Sequence, residues 1–133
     1  MGMAKGDVDP ALNKLSEHAV DAAIEVHRAL GPGFQEHTYH RAMMIELRQR
    51  DIPFESESPV SLTYKGESIG EGWVDLLVDS RLVLELKATE ASHERFRKQA
   101  LAYLKARQLT LALVLNFEVD AIREGMLRVV NTR

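Results

Sequence analysis

The stretch Trp73-Val74-Asp75-Leu76-Leu77-Val78, then Asp79-Ser80-Arg81, then Leu82-Val83-Leu84-Glu85-Leu86-Lys87 limits the fold more than any other part of the chain. Two apolar runs of this length, separated by turn-type residues, read as neighbouring buried strands joined by a tight hairpin. Three ionisable side chains, Asp75, Glu85 and Lys87, interrupt them. Charged groups are rarely buried unless they are paired or hold a metal. A chain that puts them there must satisfy them locally.

Counting fixes the pairing. With a three-residue loop centred on Ser80, Val78 faces Leu82 and Asp75 falls directly opposite Glu85. Opposed side chains have Cβ atoms roughly 4.5–5.5 Å apart. Side chains alternate faces, so Glu85 and Lys87 share one. One face then reads Val74, Leu76, Val78, Leu82, Leu84 and Leu86, and the other Trp73, Asp75, Leu77, Val83, Glu85 and Lys87. A two-residue loop would shift every partner by one. Two carboxylates this close call for a divalent cation, a shared proton or the neighbouring ammonium of Lys87. An ion-pair cluster in which Lys87 neutralises one acid remains the alternative use of the same trio.

The rest of the chain reads as helices around this hairpin. Asp9-Pro10 is an N-cap followed by proline at the first helical position. Apolar residues at helical spacing carry a first helix to about Leu30, where Gly31-Pro32-Gly33 stops it. A second helix is expected over about 34–50, with Tyr39, Ala42, Met43 and Leu47 as its apolar stripe, and a third over about 91–107. Pro53 and Pro59 bracket a strand-like segment at 54–57, and a separate strand is expected at 60–64. The hairpin strands follow at 69–78 and 82–87, then strands at 109–117 and 126–131. The order αα-ββββ-α-ββ implies an α/β (α+β) fold, a mixed central sheet flanked by helices. Residues 1–8 are expected to be disordered and 9–133 to form one domain.

Composition narrows the class without choosing within it. The chain has 133 residues, 45% hydrophobic and 28% charged, with a net charge of −3 and no cysteine. Disulfides and thiolate metal sites are excluded. No apolar run reaches the length of a membrane span and no signal-peptide pattern opens the chain, so a cytoplasmic location is expected. The negative balance argues against a protein held to nucleic acid by bulk charge. The five histidines form no zinc-ligand pattern, although Glu36 and His40 stand four apart.

Two further motifs flank the hairpin. Gly33-Phe34-Gln35-Glu36-His37-Thr38-Tyr39 reads G-x-x-E-x-x-Y, and Gln99-Ala100-Leu101-Ala102-Tyr103 reads Q-x-x-x-Y. Taken as residues alone, Glu36 is a helix N3 carboxylate that suits the helix dipole, and Tyr39 and Tyr103 are core tyrosines. Gln99 and Tyr103 lie on one helix face. Together with Asp75 and Glu85-Leu86-Lys87, these motifs resemble the GxxExxY family of the PD-(D/E)XK nuclease superfamily, over about 15–130. Leu115-Asn116-Phe117 is similar to that family's late strand.

The resemblance implies a restriction-endonuclease-like core and a Mg²⁺-dependent nuclease that hydrolyses phosphodiester bonds, with Mn²⁺ as a substitute. Asp75, Glu85 and the Leu86 backbone carbonyl would hold the metal, with Glu36 as a further ligand. Lys87 would act in catalysis and Gln99 would orient it or the substrate strand. Tyr103, Tyr39, Arg95 and Lys98 would contact substrate. The implied partner is nucleic acid, DNA ahead of RNA, with a second copy or a partner protein supplying specificity and no membrane. A catalytically weak or inactive nucleic-acid- or protein-binding module on the same fold is the alternative.

Overall fold

The computed structural model describes residues 8–91 and 93–132. Its elements are α1 (Pro10–Leu30), α2 (Glu36–Gln49), β1 (Phe54–Tyr64), β2 (Glu67–Val78), β3 (Leu82–Lys87), α3 (His93–Arg107), β4 (Leu111–Asn116), a 3-10 turn (Ile122–Gly125) and β5 (Met126–Val130). The strands form one mixed sheet in the order β1-β2-β3-β4-β5, with β3–β4 parallel and the other pairs antiparallel. This is the α+β architecture expected from the sequence.

Helix α1 begins where the caps put it. The Asp9 carboxylate accepts the Leu12 N–H at 2.8 Å and Pro10 opens the helix. Asp9 also pairs with Arg81 in the β2–β3 loop, which ties the helix start to the hairpin. The expectation for residues 1–8 lies outside the described residues except at Val8, which is buried in the core.

The sheet has two apolar faces. Leu76, Val78, Leu82, Leu84, Leu86, Leu111, Leu113 and Leu115 pack with α1 and α2. Val60, Val74, Leu77, Val83, Ala112 and Val114 pack with Phe96, Ala100 and Leu104 of α3. Burial on both sides explains why β3 and β4 read as continuous apolar runs rather than alternating ones.

Two sequence expectations need correction. The segments at 54–57 and 60–64 are one strand, so three strands, not four, precede α3. β1 is an edge strand, where the missing N–H of Pro59 is tolerated. The expected alternation of β2 also fails. Val74 packs with α3, whereas Leu76, two residues on, packs with α1 and α2. β1 makes the same change: Ser56 bonds His40 of α2, and Ser58 bonds Arg107 of α3. Residues of equal parity share a face in a regular strand. Both strands therefore switch faces at one level, between Ser56↔Leu76 and Ser58↔Val74, and Glu57 makes the turn with a φ of 53°.

Candidate active site

The β2–β3 pairing runs Val78↔Leu82, Leu77↔Val83, Leu76↔Leu84, the register of the three-residue loop. Beyond Leu76 the strands part, and Asp75 and Glu85 stand at the fork, the next step of the same register. The Asp75 side chain closes the gap that the missing ladder leaves. Its Oδ2 accepts the Leu86 N–H at 2.7 Å, a donor that a continuing β2 would have taken. β3 itself runs on to Lys87 because β4 still pairs with it, Glu85 against Val114 and Lys87 against Asn116.

Glu85 is the most constrained member. It is only 4% exposed, and its Oε2 has no hydrogen-bond partner among the described residues. Burial pushes its carboxyl up to about 8, and the nearby Asp75 and Glu36 charges push the same way against Lys87. Asp75 is also raised by burial, with the Leu86 N–H, His40 and Lys87 opposing. Glu36 is raised by burial and by the Asp75 charge. The Asp75 charge thus hinders ionisation of both Glu36 and Glu85, and the three acids form one electrostatic unit.

Lys87 extends toward α3 from the face that Val83 and Glu85 share. Its Nζ donates to Gln99 Oε1 at 3.0 Å and lies 5.2 Å from the Phe96 ring centroid. The first motif is thereby joined to the Q-x-x-x-Y motif by a direct bond. Tyr103, one turn further, does not extend this chain. Its ring is half-buried over Gly72, where an added Cβ would meet its hydroxyl at 2.6 Å. Arg95 and Lys98 join Lys87, Glu94, Phe96 and Gln99 around a cleft of about 560 Å³.

The G-x-x-E-x-x-Y segment works as a closed loop. Gly33, at φ 114°, turns the chain, and its N–H reaches the Glu118 carboxylate at 3.3 Å. Tyr39 is fully buried and stacks on Phe117 with ring centroids 4.5 Å apart. Its hydroxyl donates to Gly31 O at 2.6 Å and accepts the Phe34 N–H at 3.2 Å. That burial corrects the substrate contact expected of Tyr39: it is a strut that sets the start of α2. Glu36 is the first residue of α2, not its N3 position, and it enters the electrostatic unit of Asp75 and Lys87.

Two residues at the centre were given no role from the sequence. His40 hydrogen-bonds Ser56 Oγ at 2.9 Å, and its charge favours ionised Glu36 and Asp75. The four-residue spacing from Glu36 was the available signal. Asn116 is buried at the end of β4. Its Oδ1 accepts the N–H groups of Thr89 and Glu118 at 3.2 and 3.1 Å, and its Nδ2 donates to Thr89 O at 2.7 Å. With Phe117 N–H bonded to Lys87 O at 2.8 Å, it fixes the chain that leaves Lys87.

No group of three or more His, Asp or Glu side chains among the described residues forms a ready metal cage. The donor set still fits Mg²⁺, which keeps several waters and takes one or two carboxylates together with substrate phosphate. A buried carboxylate oxygen with no partner is the kind of group such an ion satisfies.

No curated protein and no solved structure matches the chain. A family profile does, over residues 13–129, nearly the whole length and every element that builds the site. The chain belongs to the PD-(D/E)XK nuclease superfamily.

Proposed function

We propose that this protein is a divalent-cation-dependent nuclease of the GxxExxY branch, acting in the cytoplasm on phosphodiester bonds of nucleic acid, DNA ahead of RNA. One observation carries the reading. Asp75 and Glu85 interact at the fork of β2 and β3, and the buried Glu85 Oε2 lacks a partner among the described residues.

In this reading Asp75, Glu85 and the Leu86 carbonyl hold Mg²⁺, with Mn²⁺ as a substitute and Glu36 as a further ligand. The ion, when bound, supplies Lewis-acid charge at the scissile phosphate. Burial opposes ionisation of Glu85, so its carboxyl would give up a proton on holding a cation near neutral pH. The Lys87 ammonium, held toward the site by Gln99, orients the attacking water and stabilises the charge that develops on the phosphate. Arg95 and Lys98 contact phosphates of the bound strand. Asn116 and Tyr39 are positioning residues, the first for the chain after Lys87 and the second for the start of α2.

The test is cleavage of DNA and RNA by purified protein with Mg²⁺ or Mn²⁺. Wild type should cleave one of them. Asp75→Asn should remain folded by circular dichroism and lose at least a hundredfold in rate. Equal cleavage by both proteins would mark a contaminant and remove the support for the reading. The alternative is a catalytically weak or inactive binding module on the same fold. It predicts salt-dependent binding of nucleic acid with no cation-stimulated cleavage.

A further inference from the structure

Phe34 and Trp73 are among the large apolar side chains left exposed, at 49% and 53%. Scattered exposed apolar residues are ordinary. These two are not scattered: each lies two residues before an acid of the candidate centre, Phe34 before Glu36 and Trp73 before Asp75.

The course of α2 puts both on one side of the sheet. Arg48, near the end of α2, lies 5.7 Å from the Phe54 ring, and His40 is bonded to Ser56. That side of α2 therefore lies against β1, while its N-terminal turn reaches the β3–β4 end through the Tyr39–Phe117 stack and brings Glu36 near Asp75 and Lys87. Past the switch at Glu57, Ser58 and Val60 face α3, so Pro59 and Trp73 face the α2 side. Trp73 and Phe34 are thus both on the α2 side of the sheet, and the Phe34 ring lies edge-on to Tyr39. The basic cleft of Lys87, Arg95, Lys98 and Gln99 lies on the α3 side of the same fork.

We propose that Trp73 and Phe34 are stacking platforms for unpaired bases, and that the substrate strand of this centre is single-stranded nucleic acid. The inference rests on the nuclease reading for the chemistry between the platforms. In a duplex the base faces are covered by their neighbours; only unpaired bases present them to an aromatic ring. Charge favours the same choice. The protein is net negative at −3, and Glu57 and Glu71 are exposed on the β1–β2 ribbon near Trp73. The dense phosphate lattice of a duplex is poorly matched to that surface. A single strand needs cations along one backbone only, and stacking supplies binding that does not depend on charge.

Trp73 is the single tryptophan of the chain, so its emission reports on the proposed platform. Wild-type protein in EDTA is titrated with a short oligothymidylate and with a blunt duplex of equal length. The expected result is saturable quenching by the single strand and little change with the duplex. Fluorescence anisotropy of a labelled oligothymidylate should show about tenfold weaker binding for Trp73→Ala and for Phe34→Ala, with Trp73→Phe close to wild type. Emission unmoved by single strands, or tighter binding of the duplex, overturns the proposal. Emission that changes with protein concentration and not with nucleic acid also overturns it, and assigns the face to self-association. Cleavage of duplex with Trp73 silent rejects the platforms and leaves the nuclease reading standing. Quenching by single strands without any cleavage rejects the nuclease reading and keeps the platforms.

Discussion

Glu85 is the residue on which the proposed chemistry turns, because a buried carboxyl whose Oε2 has no partner among the described residues is destabilised when ionised. Its ordinary value of 4.5 rises to about 8 on folding, so the folded state holds the proton more tightly than the unfolded state. The sign follows from linkage: the stabilising contribution is complete below about 4.5 and is lost as pH rises through about 8. Glu85→Gln, which has no such ionisation, should gain melting temperature relative to metal-free wild type as pH is raised from 5 to 8. A difference that stays flat across that window would mean the carboxyl is not buried as described. Tyr39 tests the strut. Tyr39→Phe strands the Phe34 N–H and leaves Gly31 O without its hydroxyl donor, and should cost about 1–3 kcal/mol in denaturant unfolding. The acids and Lys87 were legible in the sequence because strand parity and loop length place them by counting. The partners of Tyr39 were not, since a buried tyrosine hydroxyl can be satisfied by any backbone group within reach.

The fork of β2 and β3 depends on a face switch shared by two strands, and Glu57 bears its strain. A left-handed backbone costs an L-residue roughly 1–2 kcal/mol. Glu57→Gly, which removes that cost and adds chain entropy, should leave stability unchanged or slightly higher. Glu57→Val should destabilise by about 1 kcal/mol or more, because a β-branched side chain tolerates positive φ least. Equal stability of the two variants would argue against the switch. At the other end of the site, Gly125→Ala would drive a Cβ into the Asn116 carbonyl. That overpacking should cost about 1–3 kcal/mol and loosen the clamp after Lys87. The ends of α1 were legible because Asp9, Pro10 and Gly31 are cap chemistry. The single long β1 was not, because Pro59 looks like a terminator unless its strand is known to be an edge. Nor was the switch, because its turning residue is a glutamate rather than a glycine.

As a whole the molecule is a five-stranded mixed sheet with α1 and α2 on one face and α3 on the other. Both faces contribute around the fork: Glu36 and His40 from α2, and Gln99, bonded to Lys87, from α3. The layered fold was readable from hydrophobic periodicity, and the match over residues 13–129 places it in its superfamily. What periodicity does not carry is how the three layers converge on one sheet opening. That follows from long-range contacts such as Lys87–Gln99 and Glu118–Gly33. The most direct test of the central claim, that Asp75 and Glu85 share a divalent cation, is calorimetric titration of Mn²⁺ into wild type and Glu85→Gln near neutral pH. Two buffers of different ionisation enthalpy make proton release visible. The account predicts saturable binding to wild type with release of a proton, and loss of both in Glu85→Gln. Absence of binding to wild type, or the same isotherm for both proteins, would contradict it.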